Sequence, residues 1–197
     1  MVLNFKQNII NALPLIINDI DKLNKISSKR FNFCYYKNGK PGMGKTALRI
    51  IFKTQTADQE AITLFLKELP KSFELSFLSL ITFNNQRYHI PLIDFNLEES
   101  SQDLMISTFK GMKKKYGGTI YIFKSGRSFH GYHGVLLTHK IWCEYLGDLL
   151  LINQKKTEKH VIDTRWIGHC IKQGFASLRL SANTKVYKFV PEFLCAI

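Results

Sequence analysis

Six consecutive residues, Ser125-Gly126-Arg127-Ser128-Phe129-His130, combine a turn-forming glycine, two hydroxyls, a guanidinium and an imidazole. Gly126 permits tight backbone approach. Ser125, Ser128 and exposed amides can donate to phosphate oxygens, and Arg127 offers a planar fork. His130 can donate to a triphosphate or shuttle a proton. The same letters also describe a β-turn with a structural histidine. Two carboxylate segments flank the turn: Leu92-Ile93-Asp94-Phe95-Asn96 before it, and Val161-Ile162-Asp163-Thr164-Arg165-Trp166 after it. On a strand, alternate side chains share a face, so Asp94 and Asn96 can point the same way. Oxygen ligands spaced by two are a common way to hold Mg²⁺ or Mn²⁺, although a strand ending in Asp-x-Asn is also an ordinary turn entry. Asp163 joins them as a metal ligand if it lies near Asp94, and otherwise makes a salt bridge with Arg165. The order carboxylate, Ser-Gly-Arg turn with His, carboxylate suits a site for a metal-bound nucleoside triphosphate.

Leu178-Arg179-Leu180-Ser181-Ala182-Asn183-Thr184-Lys185 adds phosphate-capable donors in Arg179, Ser181 and Lys185, or is a plain basic hairpin. His130-Gly131-Tyr132-His133 has HxxH spacing, but the intervening glycine breaks the helix that a zinc protease needs. Gly39-Lys40-Pro41-Gly42-Met43-Gly44-Lys45-Thr46 fits the phosphate-loop pattern literally, which makes a nucleoside triphosphatase an alternative reading. Such a loop must run into a helix. The β-branched and aromatic residues at 46–54 and a capping box at Thr56-Ala57-Asp58-Gln59 place the next helix some ten residues too late. A Gly/Lys-rich hairpin tip explains the same letters, with Lys40 and Lys45 as contacts to a nucleic-acid backbone. Arg165 is a third such contact.

The elements that must position these residues follow from periodicity. Residues 2–27 read as helical, with Pro14 kinking or dividing the segment. Strands are expected over 31–37 and 47–54 as a hairpin, then a helix from the capping box to about residue 69. Residues 73–83 and 87–95 read as adjacent strands around Asn84-Asn85. A helix over about 100–116 stops at Gly117-Gly118, and a strand follows over 119–123. Residues 134–151 and 166–174 read as helices, and 177–180 and 186–190 as short strands. Mixed hairpins and helices favour an α+β fold.

A chain of 197 residues with 45% hydrophobic content is read as one domain, 1–197, with an N-terminal unit over 1–70 and a core over 71–197. Net charge is +13, a field that favours polyanions; a lysine-rich surface without a dedicated partner carries the same count. No apolar stretch reaches membrane-spanning length. The N-terminus lacks the form of a signal peptide, so no membrane partner and a cytoplasmic location are expected. The four cysteines, Cys34, Cys143, Cys170 and Cys195, form no CxxC pair and read as reduced, mostly buried thiols.

Asp94-Phe95-Asn96, Ser128-Phe129-His130 and Ile162-Asp163, in this order and spacing, resemble the three motifs of the archaeo-eukaryotic primase superfamily, which includes the primase-polymerases. Arg179, Ser181 and Lys185 look similar to the basic segment that follows the third motif in primase small subunits. Asp163-Thr164-Arg165-Trp166-Ile167-Gly168-His169, with Gly174-Phe175 and Leu178-Arg179, is similar to the bacterial primase-like branch. The resemblance covers roughly residues 70–190. It implies an RRM-like mixed or antiparallel catalytic sheet with flanking helices, beside a small N-terminal αβ unit. It implies template-directed nucleotidyl transfer with two Mg²⁺ or Mn²⁺ ions, using nucleoside triphosphates and nucleic acid. Asp94 and Asp163 would hold metal, with Asn96 beside them; His130, Arg127 and Arg179 would bind the triphosphate. Asn96 departs from the family's usual second carboxylate, which leaves a catalytically weakened binding module as the alternative. No added zinc-binding or helicase-like module is read, so the expected setting is a larger replication, repair or defence assembly.

Overall fold

The computed structural model describes residues 7–24, 29–37, 48–97, 102–153 and 160–197. The phosphate-loop match, with Lys40 and Lys45, lies outside the described residues. Helix α1 (Ile9–Asn24) buries Ile9, Ala12, Leu13, Ile16, Ile17 and Ile20. Pro14 lies inside α1 and does not divide it. A missing helix bond and ring clash cost about 3 kcal/mol, whereas each buried aliphatic side chain returns about 1.5–3 kcal/mol.

Strands β1 (Lys29–Lys37) and β2 (Leu48–Thr54) pair antiparallel, with Lys37 opposite Leu48. A phosphate loop leads from a strand into a helix, but here the residues after the glycine-rich stretch are a strand returning along β1. Helix α2 (Gln59–Lys67) follows. Its N-cap is Asp58, not Thr56, because the Asp58 carboxylate accepts from the amide of Ala61 at 2.8 Å. Tyr35 of β1 donates to the Phe65 carbonyl of α2, and Phe33 contacts the Phe65 ring at 5.1 Å.

Strand β3 (Glu74–Phe83) turns at Asn84 and Asn85, both at positive φ, into β4 (Gln86–His89). The continuous strand expected over 87–95 is split. Pro91 has no amide to donate, and beyond it β5 (Leu92–Asp94) joins a different sheet. Helix α3 (Gln102–Tyr116) leads to β6 (Ile120–Lys124) and β7 (Phe129–His133). The helix expected from 134 begins later: β8 (Leu137–Thr138) intervenes, and Thr138 caps α4 (His139–Ile152). Helix α5 (Thr164–Gln173) is stopped by Gly174 in the left-handed region. Strand β9 (Ser177–Arg179) follows; 186–190 is irregular rather than a strand, and the last strand is β10 (Glu192–Ala196).

The fold is α+β, with two sheets. One runs β2-β1-β3-β4-β8, with β9 beside the first half of β3. It draws strands from both sides of residue 70. The other runs β10-β6-β7-β5, all antiparallel. Within it β5-α3-β6, with β7 between the two strands, is the split strand–helix–strand unit of an RRM-like sheet. The fourth strand, β10, joins the outer edge of β6 rather than that of β5. The free edge of β5 is continued instead by the segment before α5, through an isolated bridge between Phe95 and Ile162. Asn153, at the end of α4, fixes that segment by bonding both the amide and the carbonyl of Ile162 at 2.9 Å. Among the described residues no helix is long and apolar enough to cross a membrane. Cys34 and Cys170 are buried, Cys195 is partly so, and Cys143 is exposed.

Candidate nucleotide and metal site

The end of β5 is where the sequence motifs meet. Asp94 sits opposite His130 of β7, and its carbonyl accepts from the amide of Asp163 at 3.1 Å. The first two motifs therefore lie on paired strands of one sheet, and the third is held beside the first by an isolated bridge and a backbone bond. The β6–β7 turn closes over Ser125 and Ser128, with the Ser125 amide donating to the Ser128 carbonyl at 2.9 Å. Gly126 has φ 146° and open space around a built Cβ, so its role is conformational. Ser128 staples the turn to β5: its hydroxyl donates to the Phe95 carbonyl at 2.5 Å and accepts from the Leu97 amide at 3.2 Å.

These elements line a cavity of about 760 Å³. Asp94, Ser125, Gly126, Arg127, Ser128, His130 and Arg179 contribute to its wall. So do Trp166, which the third motif carries without a role, and Tyr36, Tyr187 and Lys188, which lie outside the motifs. A second cavity of about 660 Å³, between α1 and the start of β1, contains none of the motif residues.

Burial raises the Asp94 carboxyl to about 7, the Asp163 carboxylate adds to the rise, and Arg179 opposes it. Neither Asp94 oxygen has a hydrogen-bond donor among the described residues; the nearest charged or imidazole nitrogen is His130 Nε2, at 3.9 Å. A carboxylate whose charge is disfavoured by a neighbouring carboxylate, and which lacks a donor, fits a divalent cation. Asp163 has one oxygen committed as the N-cap of α5, accepting from the Trp166 amide at 3.0 Å. Among the described residues no three His, Cys, Asp or Glu side chains form a metal cage. The donor set therefore fits an ion completed by ligand or water oxygens. Asn96 stands at the exposed end of the strand and does not line the cavity; its amide donates to the Val161 carbonyl.

His130 is buried and held neutral, at about 3, by burial first and then by Arg179. Its buried Nδ1 has no hydrogen-bond partner among the described residues. His133 points elsewhere. Its Nε2 donates to the Gly117 carbonyl at 2.6 Å, which leaves Nδ1 to accept from the Tyr145 hydroxyl at 3.2 Å.

Arg179 is 4% exposed. It donates to the carbonyls of Ser125 (2.6 Å), Phe189 (3.1 Å) and Ser181, and stacks 4.0 Å from the Tyr187 ring. This residue, placed by sequence with the triphosphate donors, lines the cavity while its fork ties the turn to β9 and the C-terminal loop. Ser181 is also structural: its hydroxyl donates to the buried Glu74 carboxylate and accepts from the Leu75 amide. Glu74 further accepts from the amides of Asn183 (3.0 Å) and Thr184 (2.7 Å). Lys185 is exposed away from the wall, and Lys188 occupies the place expected of it. Arg127 is exposed at the cavity, and Arg165 is exposed on the first turn of α5.

Three buried histidines set the response to acid. His89 and His130 are lowered to about 3 and His133 to about 4, each chiefly by burial. The unfolded chain binds protons at these sites near pH 6.5, so their stabilising contribution is lost as pH falls from there toward the folded values. Asp94 acts in the opposite sense, since its raised value favours the folded state below about 4 and loses that contribution as pH rises through about 7. Three groups outweigh one. Urea midpoints measured from about pH 7.5 to 4.5 therefore fall continuously; a flat profile would contradict the buried neutral histidines.

A family model described as "AEP-like: Archaeo-eukaryotic primase 1D-like" matches residues 53–192, more than half of the chain and all three motifs. No curated protein and no solved structure matches.

Proposed function

Since this chain belongs to the archaeo-eukaryotic primase-like family, we propose that it is a metal-dependent nucleotidyltransferase of the primase-polymerase type, acting on nucleoside triphosphates and nucleic acid. The observation that carries this reading is the convergence of Asp94, His130 and the Ser125–Ser128 turn on one cavity, with Asp163 bonded beside Asp94.

Asp94 and Asp163 would hold Mg²⁺ or Mn²⁺, which would supply charge neutralisation to the triphosphate and activation to an attacking hydroxyl. Arg127 and the amides of the turn take phosphate oxygens, with Lys188 adding positive charge on the same wall. The neutral His130 ring donates a hydrogen bond without adding repulsion to the metal. Tyr36, Trp166 and Tyr187 give the cavity flat apolar surface for a nucleobase. Arg179 orients the turn by holding the Ser125 carbonyl.

A second reading is a nucleotide- and nucleic-acid-binding module on the same fold. It is favoured by one observation: Asn96 brings no charge and does not line the cavity. Incubation with a primer–template, Mn²⁺ or Mg²⁺, and ribo- or deoxynucleoside triphosphates separates the two. Primer extension is the expected result. Saturable binding of the metal–nucleotide with no product under either metal would establish the second reading instead.

A further inference from the structure

Helix α5 carries a basic face of which the sequence singled out only Arg165. Ile167 and Cys170 are buried and Trp166 is half-buried, and together these fix one side of the helix to the protein. On the opposite side, the 3.6-residue period brings Arg165, Gly168, His169 and Lys172 into one stripe. All four are exposed. The helix contains no Asp or Glu, and the three side chains of the stripe make no hydrogen bond or ion pair with a described residue.

Helix-dipole complementation does not account for this pattern. It explains a cation in the last turn, such as Lys172, and it explains Lys113, Lys114 and Lys115 at the end of α3. Arg165 lies on the first turn, where the positive end of the dipole disfavours a cation. Placing a guanidinium there concentrates positive potential beside the cavity. Gly168 keeps the middle of the stripe low, and a Cβ built on it meets nothing within 4 Å. Trp166, which follows Arg165 in the chain, is part of the cavity wall, so the first turn of α5 lies near the cavity.

We propose that this face of α5 is a track for the sugar–phosphate backbone of a nucleic-acid strand passing the cavity. The proposal rests on the functional reading above for what the strand is doing there. A polyanion is the occupant because the stripe has three basic residues and no acid, and because it continues a cavity wall that already exposes Arg127 and Lys188. An unpaired strand suits it better than an acidic protein, since the aromatic rings at its cavity end offer stacking surface to bases. Arg165 and Lys172 lie about 10 Å apart along the axis, enough for two or three successive phosphates.

The test is fluorescence anisotropy of a labelled single-stranded oligonucleotide, titrated at several salt concentrations. In Arg165→Ala/Lys172→Ala, affinity falls about tenfold, and the magnitude of the salt slope falls by about 1.4, the value for two lost phosphate contacts on a single strand. The control Lys113→Ala/Lys114→Ala keeps wild-type affinity. Binding of Mn²⁺–nucleotide to the α5 variant stays unchanged, which separates this test from that of the site. Unchanged affinity and slope in the α5 variant would overturn the track, as would an equal loss in the α3 control. No oligonucleotide binding by the wild type, with Mn²⁺–nucleotide binding intact, would overturn the track and leave the nucleotide site standing. Oligonucleotide binding lost with α5 but no Mn²⁺–nucleotide binding would keep the track and remove the site.

Discussion

Asp94→Asn is expected to abolish the proposed metal-dependent nucleotidyl transfer and, at the same time, to make the metal-free protein more stable. The loss of activity is expected to reach about a thousandfold or more, since removing a carboxylate ligand removes several kcal/mol of transition-state charge stabilisation. The gain in stability comes from the same atoms. Asp94 is half-buried, has no donor among the described residues, and lies near Asp163, so its ionisation is displaced to about 7. Above that pH the folded protein carries the cost of an unwelcome charge, and a neutral isostere relieves it by on the order of 1–3 kcal/mol. Below about pH 4, where Asp94 is protonated in both states, the variant and the wild type converge. Urea denaturation at about pH 8 and pH 4, beside a primer-extension assay, reads both effects. A variant that loses activity and stability together would mean that Asp94 is a structural acid.

Arg179→Ala gives the second large effect, and it has the opposite character. The guanidinium is buried and satisfies the carbonyls of Ser125, Ser181 and Phe189 while covering the Tyr187 ring. Truncation leaves three carbonyl acceptors short of a donor. The expected loss is about 3–5 kcal/mol, as for breaking a buried charged network by removing one member. Arg179→Lys keeps the charge but not the fork, so it retains part of the stability and leaves the Ser125–Ser128 turn poorly held. In that variant KM for nucleotide rises more than kcat falls, because the turn positions phosphate rather than performing the chemistry. Wild-type stability in Arg179→Ala would refute this assignment.

Much of the site was legible because strand alternation and motif order survive in sequence. Asp94, the Ser-Gly-Arg turn and Asp163 are short segments whose neighbours are apolar and β-rich, so their places at strand ends follow from local pattern. What escaped was non-local. Tyr36 and Tyr187 are 151 positions apart in numbering and share a cavity only because β9 lies beside β3, which also pairs with β1. No spacing rule connects them. Lys188 was hidden behind Lys185 because 186–190 has strand-like composition, yet the backbone there is irregular, and Arg179 lies against Phe189 and Tyr187. Asp163 is also a helix cap, because α5 begins at Thr164 rather than at the expected residue 166. The division of the run at 87–95 turned on Pro91, whose missing amide matters only once two sheets compete for the chain. Arg179 and Ser181 carried the right chemistry for phosphate, but burial redirected their donors to backbone carbonyls and Glu74.

The central claim is that Asp94, Asp163 and the Ser125–Ser128 turn form one metal–nucleotide seat. Calorimetric titration of Mn²⁺ with a nucleoside triphosphate tests it directly, in the wild type, in Asp94→Ala/Asp163→Ala and in Lys45→Ala. The account predicts one binding event in the wild type, unchanged in Lys45→Ala and lost in the double variant. Binding that survives in the double variant and disappears in Lys45→Ala would contradict it and move the nucleotide to the glycine-rich segment at 39–46.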